Sequence, residues 1–430
     1  MNVAGNQANS SSYRYLALGM FTLTYTVNFV DRQVLSILQE PIKHDLGLSD
    51  SQLGLLTGFA FAMFYLLMGF PIASLADKSN RKRIVVSCLS IWSTMTMLCG
   101  LAANYWQLLL ARMGVGIGEA GCSPPLHSMI SDIFPKEERG MAFGFYNTGV
   151  NLGILIGFLL GGWINQFFGW RVALLVVGVP GLVIALIFHL VIKEPKRTCE
   201  SPSQDNKPNT SYKHILILFA THPVLRWVAL ASVFCGISGY GLLNWTPSFL
   251  MRSFDISPGM VGTYLALFVG VGGGVTTFAV GLLGDKLGQR GPHWYLWIAG
   301  ICFALSIPAL LAMFNAQSAM SAIWAFAIPG LVIQCYVAPV LAVTHAIVPS
   351  QARAMSSAFL LFAINLIGLG VGPVLVGLIS DMLATSYGTD SLRYALMAVV
   401  GISSFLAVFS LFKGGFNYRQ TTHSTLLVRE

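Results

Sequence analysis

The chain has 430 residues, of which 55% are hydrophobic and only 10% charged, and its formal net charge is +8. A water-soluble domain carries about 25% charged residues, so this composition excludes a protein whose whole surface faces water. A mean hydropathy of +0.69 points to a chain that lives mostly in lipid.

Apolar runs of about 20 residues, enough for a helix to cross a hydrocarbon core of about 30 Å, recur from end to end. Twelve are expected: 15–40, 51–76, 84–103, 105–133, 139–166, 170–192, 224–252, 259–284, 292–314, 318–348, 353–384 and 392–412. The expected fold class is therefore an all-α polytopic membrane protein with twelve transmembrane helices. The polar N-terminus has no small-residue cleavage site after it, which argues against a cleaved signal peptide. Between spans 2 and 3 lies the basic stretch Lys78–Arg83, and between spans 6 and 7 the charged stretch 193–214. With both ends in the cytoplasm, the cytoplasmic side holds about eighteen Lys/Arg by the positive-inside rule. The other side holds Lys43, Arg171, Arg252 and Arg393. The basic charge is thus explained by topology, and no nucleic-acid partner is expected. Six of the seven cysteines (Cys88, Cys99, Cys122, Cys235, Cys302 and Cys335) fall in apolar runs, with no disulfide framework or metal-ligand spacing.

The chain repeats itself. A shift of 208 residues carries Ala73–Lys82 onto Gly281–Arg290 and superimposes Asp77 on Asp285 and Lys78 on Lys286. A shift of 214 carries Arg139–Leu152 onto Arg353–Leu366, with Arg, Met, Phe, Asn and Leu matched. Two six-helix pseudo-repeats are expected, 1–192 and 215–430, joined by a cytoplasmic linker at 193–214.

The two D-K-x-x-x-R/K loops, together with Arg112–Gly118, resemble motifs of the major facilitator superfamily. More narrowly, Asn28–Arg32, Asn80–Lys82 and Val115–Ala120 resemble the spinster subfamily of lysolipid transporters. The resemblance implies the major facilitator fold, with two halves around a central cavity, alternating access, and an amphiphilic, lysolipid-type cargo moved with proton coupling. It also implies that a charged cluster including Asp77, Arg81, Asp132, Arg139, Asp285 and Arg353 latches the cytoplasmic side. Within it, Asp77 and Asp285 are expected to cap helix N-termini and nearby Lys/Arg to pair with Asp132.

Charges at membrane depth cost about 2.5–3.5 kcal/mol each on insertion scales and mark function by default. Four stand out: Asp31 and Arg32 in span 1, and Arg112 and Glu119 in span 4. Helical spacing puts Asn28 and Arg32 near one face, with Asp31 beside them, and Arg112, Gly116, Glu119 and Ser123 in one stripe. Arg112 and Glu119 are then about 10 Å apart along the axis, too far for easy contact. Spans 1 and 4 are expected to face each other and share these charges. Asp31 or Glu119 would be the proton-coupling carboxylate, and Arg32 or Arg112 the anion-binding guanidinium. A fixed structural ion-pair network is the competing explanation. Asn147, Asn151 and Asn365, with Tyr240, Asn244 and Gln334, are further substrate-binding candidates. For the amides, interhelical hydrogen bonds are the alternative.

GVGIGEAG at 114–121 contains G-x-G-x-x-G, but a dinucleotide loop needs a preceding strand. Inside an apolar run its glycines serve close helix packing instead. H-E-x-x-H and G-x-S-x-G are absent, so the chain is read as no enzyme, without cofactor or metal. The expected protein is a monomeric secondary transporter of the bacterial inner membrane, surrounded by lipid. It would move protons with an amphiphilic or small anionic substrate. A sugar-acid transporter and an uncoupled lipid flippase are the alternatives.

Overall fold

The computed structural model describes residues 11–195, 197 and 212–427, and helix coincides with each of the twelve apolar runs. The first, α1 (Ser11–Leu46), runs six residues past its apolar stretch, since each added residue adds a backbone hydrogen bond. It stops at Gly47, whose φ of 64° suits a left-handed helix end. Next, α2 (Asp50–Lys78) opens with a capping box between Ser49 and Gln52. Asn80 and Asn104 cap α3 (Arg81–Gly100) and α4 (Tyr105–Ala120) through their side-chain oxygens.

The fourth apolar run is broken. After α4 the chain makes a tight turn at Gly121 and Cys122, then restarts as α5 (Ser123–Ile133). Pro124 and Pro125 lack the N–H groups that would continue the α4 ladder but suit a helix's first turn. Then comes α6 (Arg139–Val191), with a kink at Gly169 (φ 82°) that falls between the fifth and sixth apolar runs.

Beyond the linker come α7 (Tyr212–Thr221), α8 (Pro223–Phe254), α9 (Pro258–Gly288) and α10 (His293–Phe314). The tenth run is also broken, into α11 (Ala319–Val332) and α12 (Val337–Ile347). The last two helices are α13 (353–387) and α14 (Ser391–Leu427). Among the described residues, eight helical segments are long and apolar enough to cross a membrane. Two of these, of 53 and 72 residues, have length for two crossings each. Wider π-type turns occur inside α2 (Leu55–Phe59), α9 (Ala266–Gly272) and α13 (Ile364–Val371). Such turns are often found at functional sites.

The chain forms two compact units: Met1–Glu200 with Ile256–Val271, and Ser201–Asp255 with Gly272–Glu430. In the first unit, Gly149, Gly153, Gly157 and Gly161 form a stripe on α6 against α1. A Cβ on each would come within 2.4–2.9 Å of an α1 atom. The first half of α9 joins this unit through α6. Trp163 Nε1 donates to Thr263 Oγ1 at 3.0 Å, and Gln166 Oε1 accepts from the Gly259 N–H at 3.1 Å. One change of unit, at 271/272, thus falls inside α9. In the second unit, Trp245 Nε1 donates to the Pro373 carbonyl at 2.9 Å, tying α8 to α13.

The glycines of 114–121 are packing sites. A Cβ on Gly118 would stand 2.7 Å from the Trp92 backbone nitrogen and 3.0 Å from the Cys88 carbonyl oxygen. Backbone cannot swing aside, so α3 and α4 would have to separate. Gly118→Ala is expected to lose about 1–3 kcal/mol of stability, read as a lower melting temperature in detergent. Gly114→Ala meets the flexible Met95 side chain instead and should lose less; equal losses would refute this account.

Candidate functional site

The four charges at membrane depth come together within the first unit. Arg32 on α1 donates from Nε to Glu119 Oε2 on α4 at 2.7 Å. Asp31, one residue away on α1, accepts from Thr96 Oγ1 on α3 at 3.0 Å. Arg112 couples electrostatically to both Asp31 and Glu119. Asp31 and Glu119 are 1% exposed and Arg112 4%.

Aromatic rings surround the two cations. The Arg32 guanidinium lies 5.0 Å from the Phe29 and Phe61 ring centres and 4.9 Å from that of Tyr65. Arg112 lies 4.5 Å from the Phe61 ring, so one buried ring from α2 serves both cations. Ring faces attract cations most when water is excluded. Local sequence explains how Glu119 reaches this place. It sits in the last turn of α4, where Gly116 lets α2 approach: a Cβ there would be 2.9 Å from the Phe61 carbonyl oxygen. The Gly121–Cys122 turn follows directly, and the Cys122 N–H donates to the Glu119 carbonyl at 3.2 Å.

Two guanidinium and two carboxylate groups balance formally. One oxygen of the Asp31 carboxyl, Oδ1, is buried with no hydrogen-bond partner, and the second oxygen of Glu119, Oε1, is buried as well. Asn28 lies beside Glu119, with its Nδ2 buried within reach of that carboxylate. On α6, Asn151 is half-buried with an unpartnered Oδ1, and Asn147 is exposed.

The second unit contrasts with this. Among its described residues no Asp, Glu, Lys or Arg is buried; its buried polar groups are Ser, Thr and Asn244. Asn244 Nδ2 donates to the Tyr240 carbonyl at 2.9 Å and Asn365 Nδ2 to the Leu361 carbonyl at 2.8 Å. Each of these bonds stays within its own helix rather than crossing to another. Gln334 sits in the turn between α11 and α12.

The loop charges form a second cluster. Arg81 donates to Asp132 Oδ2 at 2.5 Å, Ser128 Oγ at 2.7 Å, Glu194 Oε1 at 2.8 Å and the Pro195 carbonyl at 3.0 Å. Asp77 does not cap α3, because it lies in the last turn of α2, ahead of the α3 N-terminus. Asn80 accepts from the Arg83 N–H and Glu194 Oε2 from the Lys82 N–H, filling that role. Asp285 likewise sits inside α9 and accepts from Tyr295 Oη at 2.9 Å. Arg139 donates to the Phe134 carbonyl, and Arg353 is exposed at the start of α13.

Residues 21–369 match the Major Facilitator Superfamily model. The chain belongs to the major facilitator superfamily. It is 33% identical over 406 residues to an "MFS-type efflux pump" of Mycolicibacterium smegmatis, covering 94% of each chain. It is 28% identical over 331 residues to a probable galactarate/D-glucarate transporter of Bacillus subtilis, covering 70% of each. A solved bacterial homologue of the human lysosomal transporter Spinster, inward-facing and unoccupied, superimposes with a TM-score of 0.85. The two are 32% identical, with 96% of this chain and 98% of that one covered. The protein is an integral membrane transporter of the spinster type.

Several residues of this transporter's clusters had no signal of their own in the sequence. Thr96, Phe61 and Tyr65 look like ordinary span residues, and only tertiary packing brings them to Asp31 and Arg32. Glu194 is one of a few acids in a mainly basic stretch, and nearby Arg197 donates to the carbonyls of Ala76, Asp77 and Ser79 at the end of α2.

A third cluster lies at the α1–α6 junction, where Arg171 pairs with Asp45 and also donates to the Ala102 carbonyl. The hydrogen bond from Arg171, aided by one from Trp170, holds the Asp45 carboxyl below its ordinary range. A carboxylate with a lowered native pKa adds stability above its unfolded value of about 4, and that stability is lost as pH falls through the native one. Melting temperatures measured from neutral pH down to about pH 3 should therefore fall less steeply for Asp45→Asn than for the parent. Parallel curves would remove this pair as a contributor.

Proposed function

We propose that this transporter moves an amphiphilic, lysolipid-like anion by alternating access, coupled to protons through Asp31 and Glu119. The observation that carries this reading is the balanced four-charge cluster of α1 and α4, in which Asp31, Arg112 and Glu119 are buried. Asp31 Oδ1 and Glu119 Oε1 are each open to a proton. Adding one leaves a net positive charge that an anion offsets, so proton and anion binding reinforce each other by linkage. A guanidinium binds phosphate or carboxylate through two parallel hydrogen bonds, which suits Arg32 and Arg112 to a headgroup.

Support for an amphiphile comes from the similarity to the Spinster homologue and from the second unit, whose described core holds no buried charge. An acyl chain needs such an apolar wall. Asn28, Asn147 and Asn151 would flank the headgroup, and Tyr240, Asn244, Gln334 and Asn365 are the polar substrate-binding candidates of the second unit. The positive-inside rule assigns both termini and the Arg81–Asp132–Glu194 cluster to the cytoplasm. There the cluster would act as a gate together with Asp77, Arg139, Asp285 and Arg353.

A small sugar dicarboxylate is the second reading, favoured by the galactarate/D-glucarate relative; both arginines would then bind carboxylates. Proteoliposomes offered labelled lysophosphatidylglycerol, with unlabelled D-glucarate as competitor, separate the two. Saturable lysolipid uptake that responds to a pH gradient and resists glucarate is expected. Uptake of glucarate alone would transfer the assignment to the second reading, and flux of neither anion would refute both.

A further inference from the structure

The breaks in the fourth and tenth apolar runs carry matching cysteines that the transport reading leaves unused. In the first unit, Cys122 forms the turn between α4 and α5, and Cys88 of α3 packs onto it: a Cβ on Gly121 would meet Cys88 Sγ at 2.3 Å. In the second, Cys335 lies in the turn between α11 and α12, and Cys302 of α10 faces it. The shift of 214 residues that aligns Arg139 with Arg353 also carries Cys88 onto Cys302. It carries Cys122 to the position directly after Cys335.

The two pairs differ in contact and access. The Cys302 and Cys335 thiols lie beside each other and interact, and the next residues, Phe303 and Tyr336, meet edge to face at 5.9 Å. Cys335 is 1% exposed and Cys302 half-buried, between Ile301 and Leu305, which are 44% and 59% exposed. Cys88 and Cys122 are both buried. The backbone beside Cys335 is held by tight-turn bonds, Cys335 N–H to the Val332 carbonyl at 3.1 Å and Val337 N–H to the Gln334 carbonyl at 3.4 Å. A short turn between two helix halves is where such a helix bends.

We propose that Cys302 and Cys335 are a redox-modification site, closing to a reversible disulfide that ties the α11–α12 turn to α10, with a lipid-borne organic hydroperoxide as oxidant. The apolar side chains flanking Cys302 suit an oxidant dissolved in the bilayer rather than a charged one. One sulfur, as thiolate, attacks the hydroperoxide. The O–O bond breaks, an alcohol leaves carrying the proton, and a sulfenic acid forms. The second thiol then attacks that sulfur and water leaves. Two thiols are oxidised by two electrons in total, and the hydroperoxide is reduced to alcohol and water. Neighbouring thiols need only close to an S–S length of about 2.05 Å.

The full-length protein in lipid nanodiscs, treated with cumene hydroperoxide, provides the test. Non-reducing peptide mapping should find Cys302 linked to Cys335, with the pair lighter by two hydrogens and Cys88 and Cys122 still reduced. Hydrogen exchange at the 333–337 amides should slow on treatment and recover with dithiothreitol. Cys302→Ser and Cys335→Ala should each show no treatment-dependent change in exchange at those amides. Sulfinic acid at Cys302 without a cross-link, a cross-link forming first at Cys88–Cys122, or a 302–335 link that leaves exchange unaltered would each overturn the proposal.

Discussion

Arg32→Ala is expected to be the most destabilising single substitution in the buried charge cluster. It strips Glu119 of its 2.7 Å partner while leaving that carboxylate with no exposed side-chain surface. Breaking a buried pair by removing one partner costs about 3–5 kcal/mol, because the remaining charge is uncompensated. Glu119→Gln should be milder, since the remaining cation still has the faces of Phe29, Phe61 and Tyr65. Combining Arg32→Ala with Glu119→Gln should recover much of the loss, as a neutral amide no longer needs the guanidinium. Thermal unfolding in detergent, followed by a thiol-reactive fluorophore, gives the ranking. Should Arg32→Ala melt with the parent protein, the pair carries no net stability.

Asp31→Asn is expected to abolish the response of uptake to a pH gradient while the folded structure persists. Asparagine keeps the shape of aspartate and can still accept the Thr96 hydrogen bond, so the local packing survives. It cannot titrate, and while Glu119 stays ionised it leaves the cluster with one positive charge in excess. Anion binding to the parent should therefore tighten as pH falls, whereas binding to Asp31→Asn should be nearly flat with pH and close to the parent's acidic limit. Glu119→Gln repeats the test at the other carboxyl and identifies which of the two carries the transported proton. Isothermal titration across pH and uptake with and without a gradient provide the two readouts. If Asp31→Asn, Glu119→Gln and their combination all keep the parental pH response, the coupled proton binds elsewhere.

The helices were legible because lipid imposes a plain rule: a helix long enough to cross must be apolar over about 20 residues. The rule reads apolar length and nothing else. It therefore missed how far α1 and α14 continue beyond their apolar runs, to Leu46 and Leu427. The turns at Gly121–Cys122 and 333–336 escaped it too, because both lie inside runs that are apolar over their whole length. Helical phase likewise put Arg112 and Glu119 on one stripe, but no periodicity within a helix says which neighbour it meets. That Glu119 pairs with Arg32, that Asp31 takes the Thr96 hydroxyl, and that Glu194 closes on Arg81 are facts of tertiary packing. The expected cap at Asp77 failed for a local reason. The α2 helix extends through Lys78, so Asp77 belongs to the end of one helix and Asn80 begins the next.

The wide turn at Leu55–Phe59 bears on how the length of α2 can vary. There the Ala60 N–H reaches the Leu55 carbonyl, five residues back, so one residue is held in excess of a regular helix. Loss of a single residue within 55–59 would convert the turn to ordinary α-helix and leave Phe61 and Tyr65 in phase with the residues before it. Loss of one residue between Phe61 and Tyr65 would rotate the following side chains by about 100° and carry Tyr65 away from Arg32. The wide turn is thus slack in the winding of α2, and single-residue deletions in homologous chains should be found there rather than in the next turn.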